Sequence, residues 1–365
     1  MIQIQEKPHY HVLDALRGVA ALMVLVFHIF DACYNNVFPH GYLAVDFFFI
    51  LSGFVIGYAY DSRWSEGLTV GGYFKRRLIR LHPMVLVGGL IGGIIFIALG
   101  CASLDGTPVP LHLALIATLM TMLTIPTLPG SPFEVRGFGE FFPLNGPVWS
   151  LFYEYIGNIL YALVFRKLST KVLAMVSSVS GTFVLLAAIR NGYVGVGWSA
   201  ADWGWWDGFV RMVFPYTMGM LMARTIRPGR IRHAFLWCSA AILGVGLIPV
   251  IGGSANPWLN GFYDFICIAA VFPVIVWAGA SDCSAPERLC RGLGDLSYPL
   301  YTIHYPFMCI LFSIIGFKGE LFDKSSVYPY WPAAAGIAAF CILLAWLLMK
   351  YYDRPVRRWL TDHWK

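Results

Sequence analysis

Ten stretches of this chain are each about as long, and as apolar, as the hydrocarbon core of a bilayer requires. That core is about 30 Å thick and takes about 20 helical residues to cross, within a range of roughly 17–25. The stretches are 13–33, 41–60, 83–101, 147–165, 172–190, 207–223, 234–251, 262–280, 297–316 and 332–350. In hydrocarbon every backbone N–H and C=O must be satisfied internally, so segments of this kind are helices. Composition agrees: 58% of the 365 residues are hydrophobic and 13% charged, against roughly 25% charged in a soluble domain. The expectation is an all-α integral membrane protein of about ten transmembrane helices, one domain over residues 1–365, with no repeat or soluble insertion. The net charge of +6 then speaks of topology rather than of nucleic acid.

Basic residues set the orientation. With the N-terminus in the cytoplasm and ten spans, 20 of the 26 Lys and Arg fall on the inner side, including Arg63, Lys75–Arg80, Arg224–Arg232 and Lys350–Arg358. Arg136, Arg190, Lys318 and Lys324 fall outside, and Arg17 and Arg211 within helices. An eleventh apolar run, His112 to Pro126, is short, and counting it as a span would put Arg224–Arg232 outside, against the positive-inside bias. Residues 102–146 are therefore expected to be a long outer loop holding a re-entrant or membrane-lying piece. Both termini are expected in the cytoplasm. The short polar start, Met1 to His11, carries no small-residue cleavage site, so the first span reads as a retained helix rather than a signal peptide. Eight cysteines include no CxxC pair; in apolar runs Cys behaves as a small hydrophobe, and neither metal nor disulfide is expected, Cys283 and Cys290 being the nearest pair. Trp198, Trp203, Trp205, Trp206, Trp258 and Trp331 in outer loops read as interfacial anchors.

Several spans carry groups a membrane helix ordinarily avoids. Arg17 and His28 have ten residues between them; at about 100° per residue they share one helical face, separated by roughly 16 Å of rise. Taken singly, the bland readings are a snorkelling arginine and an interhelical hydrogen bond. Intramembrane ionisable groups nevertheless face a bundle interior or a watery cavity as a rule. Asp46 in the second span and Glu154 in the fourth lie, by helix rise, near the depth of His28, so an imidazole and two carboxylates are expected at one level. A buried salt bridge that only shapes the fold is the competing reading for Asp46. Before the third span, Lys75, Arg76, Arg77 and Arg80 form a cationic run, either a positive-inside anchor or a seat for a phosphorylated ligand. Pro299 and Pro306 in the ninth span free backbone carbonyls that a neighbour or cavity must satisfy.

Five of these stretches, LDALRGVAALMVLVFH, VDFFFILSGFVI, FKRRLIRLHP, GPVWSLFYEY and LSYPLYTIHYPF, together resemble the acyltransferase 3 family of bacterial membrane enzymes, in family order and across the whole chain. The resemblance implies about ten helices, a cytoplasmic N-terminus in the bacterial inner membrane, acyl-CoA (acetyl-CoA by family frequency) as donor, and a carbohydrate or glycoside acceptor. It maps the family's Arg-x10-His onto Arg17 and His28, and its Arg-Arg-x-x-Arg onto Arg76, Arg77 and Arg80. Many members append a hydrolase-like domain; this sequence resembles the stand-alone form. On this reading His28 is the general base, oriented by Glu154 or Asp46, with a covalent acyl-histidine as the open alternative. Arg17, Arg76, Arg77 and Arg80 meet the donor. Ser297, Tyr298 and His304, assigned to the inner half of the membrane, are candidates for binding donor or oxyanion. The rival class is a transporter or flippase using the same polar path. Exopolysaccharide, O-antigen, lipid-linked oligosaccharide, nodulation-type signal and macrolide acceptors all remain open.

Overall fold

The structure, a computed structural model, describes residues 9–30, 37–201, 203–227, 229, 231–280, 286–315 and 330–364. Lys7, Cys33, Arg230, Cys283, Lys318 and Lys324, and the ends of the spans 13–33 and 297–316, lie outside these. Among the described residues the only strand-like pairings are two isolated bridges, one of them Glu140 with Ser199; everything else regular is helical. In order the helices are α1 (His11–Phe30), α2 (Ala44–Tyr60), α3 (Val70–Ala98), α4 (Leu111–Met122), α5 (Val148–Leu163), α6 (Thr170–Asn191), α7 (Gly204–Thr225) and α8 (Ala234–Leu247). They continue with α9 (Trp258–Ile266), α10 (Phe272–Gly279), α11 (Glu287–Ile315), α12 (Trp331–Leu348) and α13 (Arg354–His363). One wide helical turn joins α9 to α10 and another joins α12 to α13.

Each of the ten expected spans falls on a helix, and among the described residues 8 helices are long and apolar enough to cross a membrane. The chain is a multi-pass membrane protein. The two expected spans outside that count fail for different reasons. The α8 helix has only 14 residues. The α7 helix has 22 residues but carries Asp207, Arg211 and Arg224. Each of these charges has a partner: Arg190, Asp46 and Asp61 respectively. Within the segment 102–146, α4 has 12 residues, about 18 Å of helix, too little to span about 30 Å. It lies along α3 through Ala114, Ala117, Thr118 and Thr121 and turns Leu111, Leu115 and Leu119 outward.

Two helix pairs frame the interior, and glycines set how closely they meet. On α1, a Cβ at Gly18 would stand 2.5 Å from the carbonyl oxygen of Leu293 on α11. On α2, a Cβ at Gly53 would stand 1.9 Å from the carbonyl oxygen of Tyr216 on α7. Small residues let membrane helices touch backbone to backbone, where packing rather than water drives association. The α3 and α5 helices close the space between these pairs.

Two helices begin earlier than hydropathy implies. The α3 helix starts at Val70, where Thr69 caps it by accepting from the Gly72 N–H at 3.0 Å, so the cationic run lies on the helix itself. The α11 helix starts at Glu287, which carries His304 about 25 Å along its axis.

Candidate active site

Five helices, α1, α2, α3, α5 and α11, enclose a cavity of about 250 Å³ lined on its polar side by Asp14, Arg17, Arg77, Arg80, Glu154 and Ser297. Arg17 does not snorkel outward. Its Nε donates to Ser297 Oγ at 2.8 Å and its Nη2 to the Gly294 carbonyl at 2.9 Å, with an Asp14 carboxylate oxygen 3.7 Å away. Ser297 in turn donates to Gly294 O at 2.6 Å. The first span is thus pinned to α11 through the residue that looked most misplaced in it.

On the opposite wall, Arg77 Nη2 donates to Glu154 Oε1 at 2.9 Å, and its Nε to Asn158 Oδ1 at 2.7 Å. Glu154 also accepts from Ser52 Oγ at 3.0 Å. Asn158, one helical turn beyond Glu154, further accepts from Tyr73 Oη at 2.6 Å. Arg77 and Arg80 are three apart on α3 and share the cavity face, whereas Arg76 points away and is exposed. Tyr298 lines the cavity and ties α11 to α3, its hydroxyl donating to the Leu81 carbonyl at 2.6 Å. Apolar Val45, Phe48 and Leu51 fill the remaining wall, and Tyr301 stands at the His304 side. Tyr301 Oη is 2.6 Å from Ser150 Oγ, its ring lies edge-on to Phe48, and its centroid is 5.9 Å from that of His304.

Beyond Tyr301, half-buried His28 meets buried His304. Nδ1 of His28 lies 3.0 Å from Nε2 of His304 and 3.1 Å from the Val24 carbonyl. Nδ1 of His304 lies 3.1 Å from the Leu300 carbonyl. These contacts fix the neutral tautomers. His304 faces a carbonyl at Nδ1, so it carries its proton there and accepts at Nε2. His28 faces two acceptors at Nδ1, so it carries its proton there, and Nε2 holds the lone pair. The Tyr305 ring stands perpendicular to the His28 ring, 5.5 Å between centroids. Pro306 lacks the N–H that would bond Thr302 O, and Asn145 Nδ2 donates to that carbonyl instead, at 2.8 Å. The histidine-bearing helix is thereby tied, one turn before its proline, to the segment preceding α5.

The convergence expected at His28 does not form. Asp46 is fully buried, but it meets Arg211: Nε and Nη2 of the guanidinium donate to its two oxygens at 2.9 and 2.8 Å. Glu154 belongs to Arg77 and the cavity. Both carboxylates find cations, Asp46 as a buried carboxylate must, and among the described residues no hydrogen bond or ion pair joins either to His28. His304 moves the other way, from the inner-half group to the side of His28, while Ser297 and Tyr298 stay with the cavity. Sequence reasoning missed Arg211 as the partner of Asp46, and Asn158 and Ser52 as members of the cavity network. The signal for Arg211 was its place as a lone cation within an apolar span, which demands an anion.

A family model described as an acyltransferase domain matches residues 10–350. The chain is 27% identical to the acyltransferase MdmB of Streptomyces mycarofaciens over 95% of its own length and 92% of the relative's. It is 34% identical to protein 2 in the picA locus of Rhizobium radiobacter over 48% of its own length and 93% of the relative's. No solved structure matches it. The matched span contains every helix that builds the cavity and the histidine pair, and the chain belongs to the acyltransferase 3 family, as an enzyme that transfers acyl groups.

Proposed function

We propose that the protein moves an acyl group, acetyl in the simplest case, from cytoplasmic acyl-CoA to a hydroxyl of a carbohydrate on the far side of the bacterial inner membrane. The observation that carries this reading is the order of groups along α1 and α11. A cavity bearing Arg17, Arg77 and Arg80 lies at one end and the His28–His304 pair beyond it. Acyl-CoA is polyanionic at its nucleotide end and slim at its thioester end. Binding pockets for drug-sized ligands run to roughly 300–1,000 Å³, so a 250 Å³ cavity suits the pantetheine arm rather than the nucleotide. On this reading Arg17, Arg77 and Arg80 in the cavity wall complement the phosphates that follow the uncharged pantetheine arm, and the aromatic pair Phe48 and Tyr301 lines the path from this chamber towards His28.

In this mechanism the lone pair on His28 Nε2 takes the proton of the acceptor hydroxyl as its oxygen attacks the thioester carbonyl carbon. The tetrahedral intermediate collapses with loss of the C–S bond, and the imidazolium returns the proton to the departing thiolate. The products are the acyl ester and free CoA thiol. His304 is the positioning residue: by accepting from Nδ1 it holds the tautomer that presents Nε2, the part a buried carboxylate plays in other catalytic triads. Orientation of His28 is thus assigned to His304, and Asp46 and Glu154 are assigned to their arginines.

The test is mass spectrometry of surface glycans from cells with wild-type protein, with His28→Ala and with neither. Loss of one acyl mass in both latter cases is the expected result. An unchanged acyl content in cells whose His28→Ala protein is present and folded would remove the general-base assignment.

A further inference from the structure

Arg136 stands apart from the other arginines described above. Its residue is 8% exposed. Its Nε and Nη2 are buried without a hydrogen-bond partner among the described residues, and no carboxylate oxygen is paired with it within 4.0 Å among them. Its guanidinium stands over the Phe96 ring, 5.3 Å from the ring centroid. A buried donor left without an acceptor is costly, the more so when charged. The open pair is the same fork, Nε and Nη2, with which Arg211 grips both oxygens of Asp46.

The surroundings are built rather than loose. The Leu104 N–H donates to the Arg136 carbonyl at 3.0 Å, and Thr127 Oγ1 donates to the Glu140 carbonyl at 2.7 Å. Four residues on from Arg136, Glu140 Oε1 accepts from Tyr305 Oη at 2.7 Å, and the ring of Tyr305 is the one that stands against His28. Gly146 backs the same spot, where a Cβ would come within 2.9 Å of Tyr305 Cζ and 3.2 Å of Glu140 Oε1. The segment 102–146 thus carries a guanidinium with an unpaired fork four residues from the glutamate that accepts from Tyr305, whose ring stands against His28.

We infer that Arg136 is an acceptor-side anion site, taking two oxygens of a carboxylate or phosphate carried by the acceptor while Tyr305 and Glu140 fix its position relative to His28. A two-oxygen anion is the ligand that uses both donors of the fork at once; a neutral hydroxyl would use one. The inference rests on the proposed reading that the acceptor reaches His28 from this side, and its test needs no acyl donor, so failure of turnover and failure of anion binding remain distinguishable.

The full chain is purified in detergent as wild type, Arg136→Met and Arg136→Lys. Thermal unfolding is followed while glucuronate, inorganic phosphate or neutral methyl galactoside is titrated. Phosphate also reaches Arg17, Arg77 and Arg80, so each ligand is scored by the difference between wild type and variant. The expected result is that glucuronate, phosphate or both raise the wild-type midpoint by an increment absent from Arg136→Met. In Arg136→Lys, a point charge without the fork, the apparent Kd should weaken by roughly tenfold. Response to glucuronate alone identifies a sugar carboxylate; response to phosphate alone identifies a phosphate of a lipid-linked or phosphorylated acceptor. Equal responses in wild type and both variants, no response to either anion, or an Arg136-dependent response to the neutral glycoside would each overturn the assignment. Should Arg136→Met not fold, the comparison with Arg136→Lys decides alone.

Discussion

Nε2 of His304 lies 3.0 Å from Nδ1 of His28, across 276 residues of sequence. A second imidazole, rather than a carboxylate, thereby occupies the position that sets the tautomer of the first. If that contact orients the base, His304→Ala should lower kcat by about 10–100-fold with little change in KM for the acceptor, whereas His28→Ala should lower it by about 100–10,000-fold. His304→Gln, whose amide oxygen can still accept from Nδ1, should recover part of the loss. Steady-state kinetics of acyl transfer in proteoliposomes would read this, and equal defects in His304→Ala and His304→Gln would argue against tautomer control.

The Asp46–Arg211 pair makes a contrasting forecast. Both groups are buried, 0% and 2% exposed, and removing one charge strands the other, at a cost of about 3–5 kcal/mol. Asp46→Asn should therefore lower the unfolding midpoint sharply, and the neutral double variant Asp46→Asn with Arg211→Met should regain much of it. If Asp46 instead served His28, Asp46→Asn would shift the pH–rate profile and leave stability alone.

On α3, neighbouring arginines should behave differently. Arg80 lines the cavity and Arg76 is exposed on another face. Arg80→Gln should raise the Kd for acyl-CoA by about tenfold or more, the worth of a charge-assisted hydrogen bond, and Arg76→Gln should change it far less. Isothermal titration with a non-hydrolysable acyl-CoA thioether distinguishes the two; equal losses would show that long-range charge, not the cavity face, holds the donor.

Glycine substitutions should divide by location. Gly53→Ala puts a Cβ 1.9 Å from a backbone oxygen of Tyr216, so α2 and α7 must move apart, and folded yield should fall. Gly336→Ala meets nothing within 4 Å, and restoring helix propensity should add about 0.5–1 kcal/mol. Size-exclusion profiles and unfolding midpoints of the two variants should move in opposite directions.

Much of this protein is legible in its sequence. Helix periodicity alone put Arg17 and His28 on one face, because the rotation per residue is fixed by backbone hydrogen bonding. Apolar length put each expected stretch on a helix, though 8 helices among the described residues are long and apolar enough to span, and Pro306 announced a free carbonyl that Asn145 fills. Depth could also be estimated, since rise per residue is constant, but only from a correct starting point. Hydropathy placed the start of α11 near residue 297, whereas the helix begins at Glu287. The polar first turns are continuous with the apolar ones, and His304 moves from the inner half to the side of His28.

Azimuth was the quantity that only the tertiary structure decided. Rise tells how deep Asp46 and Glu154 lie, not which neighbour each faces, and that depends on how helices far apart in sequence rotate against one another. The glycine contacts of α1 with α11 and of α2 with α7 set those rotations. They give Asp46 to Arg211, 165 residues away, and leave His28 to His304, while the packing of α3 on α5 gives Glu154 to Arg77. The sequence thus determined which ionisable groups the membrane had to hide; packing determined which of them would meet.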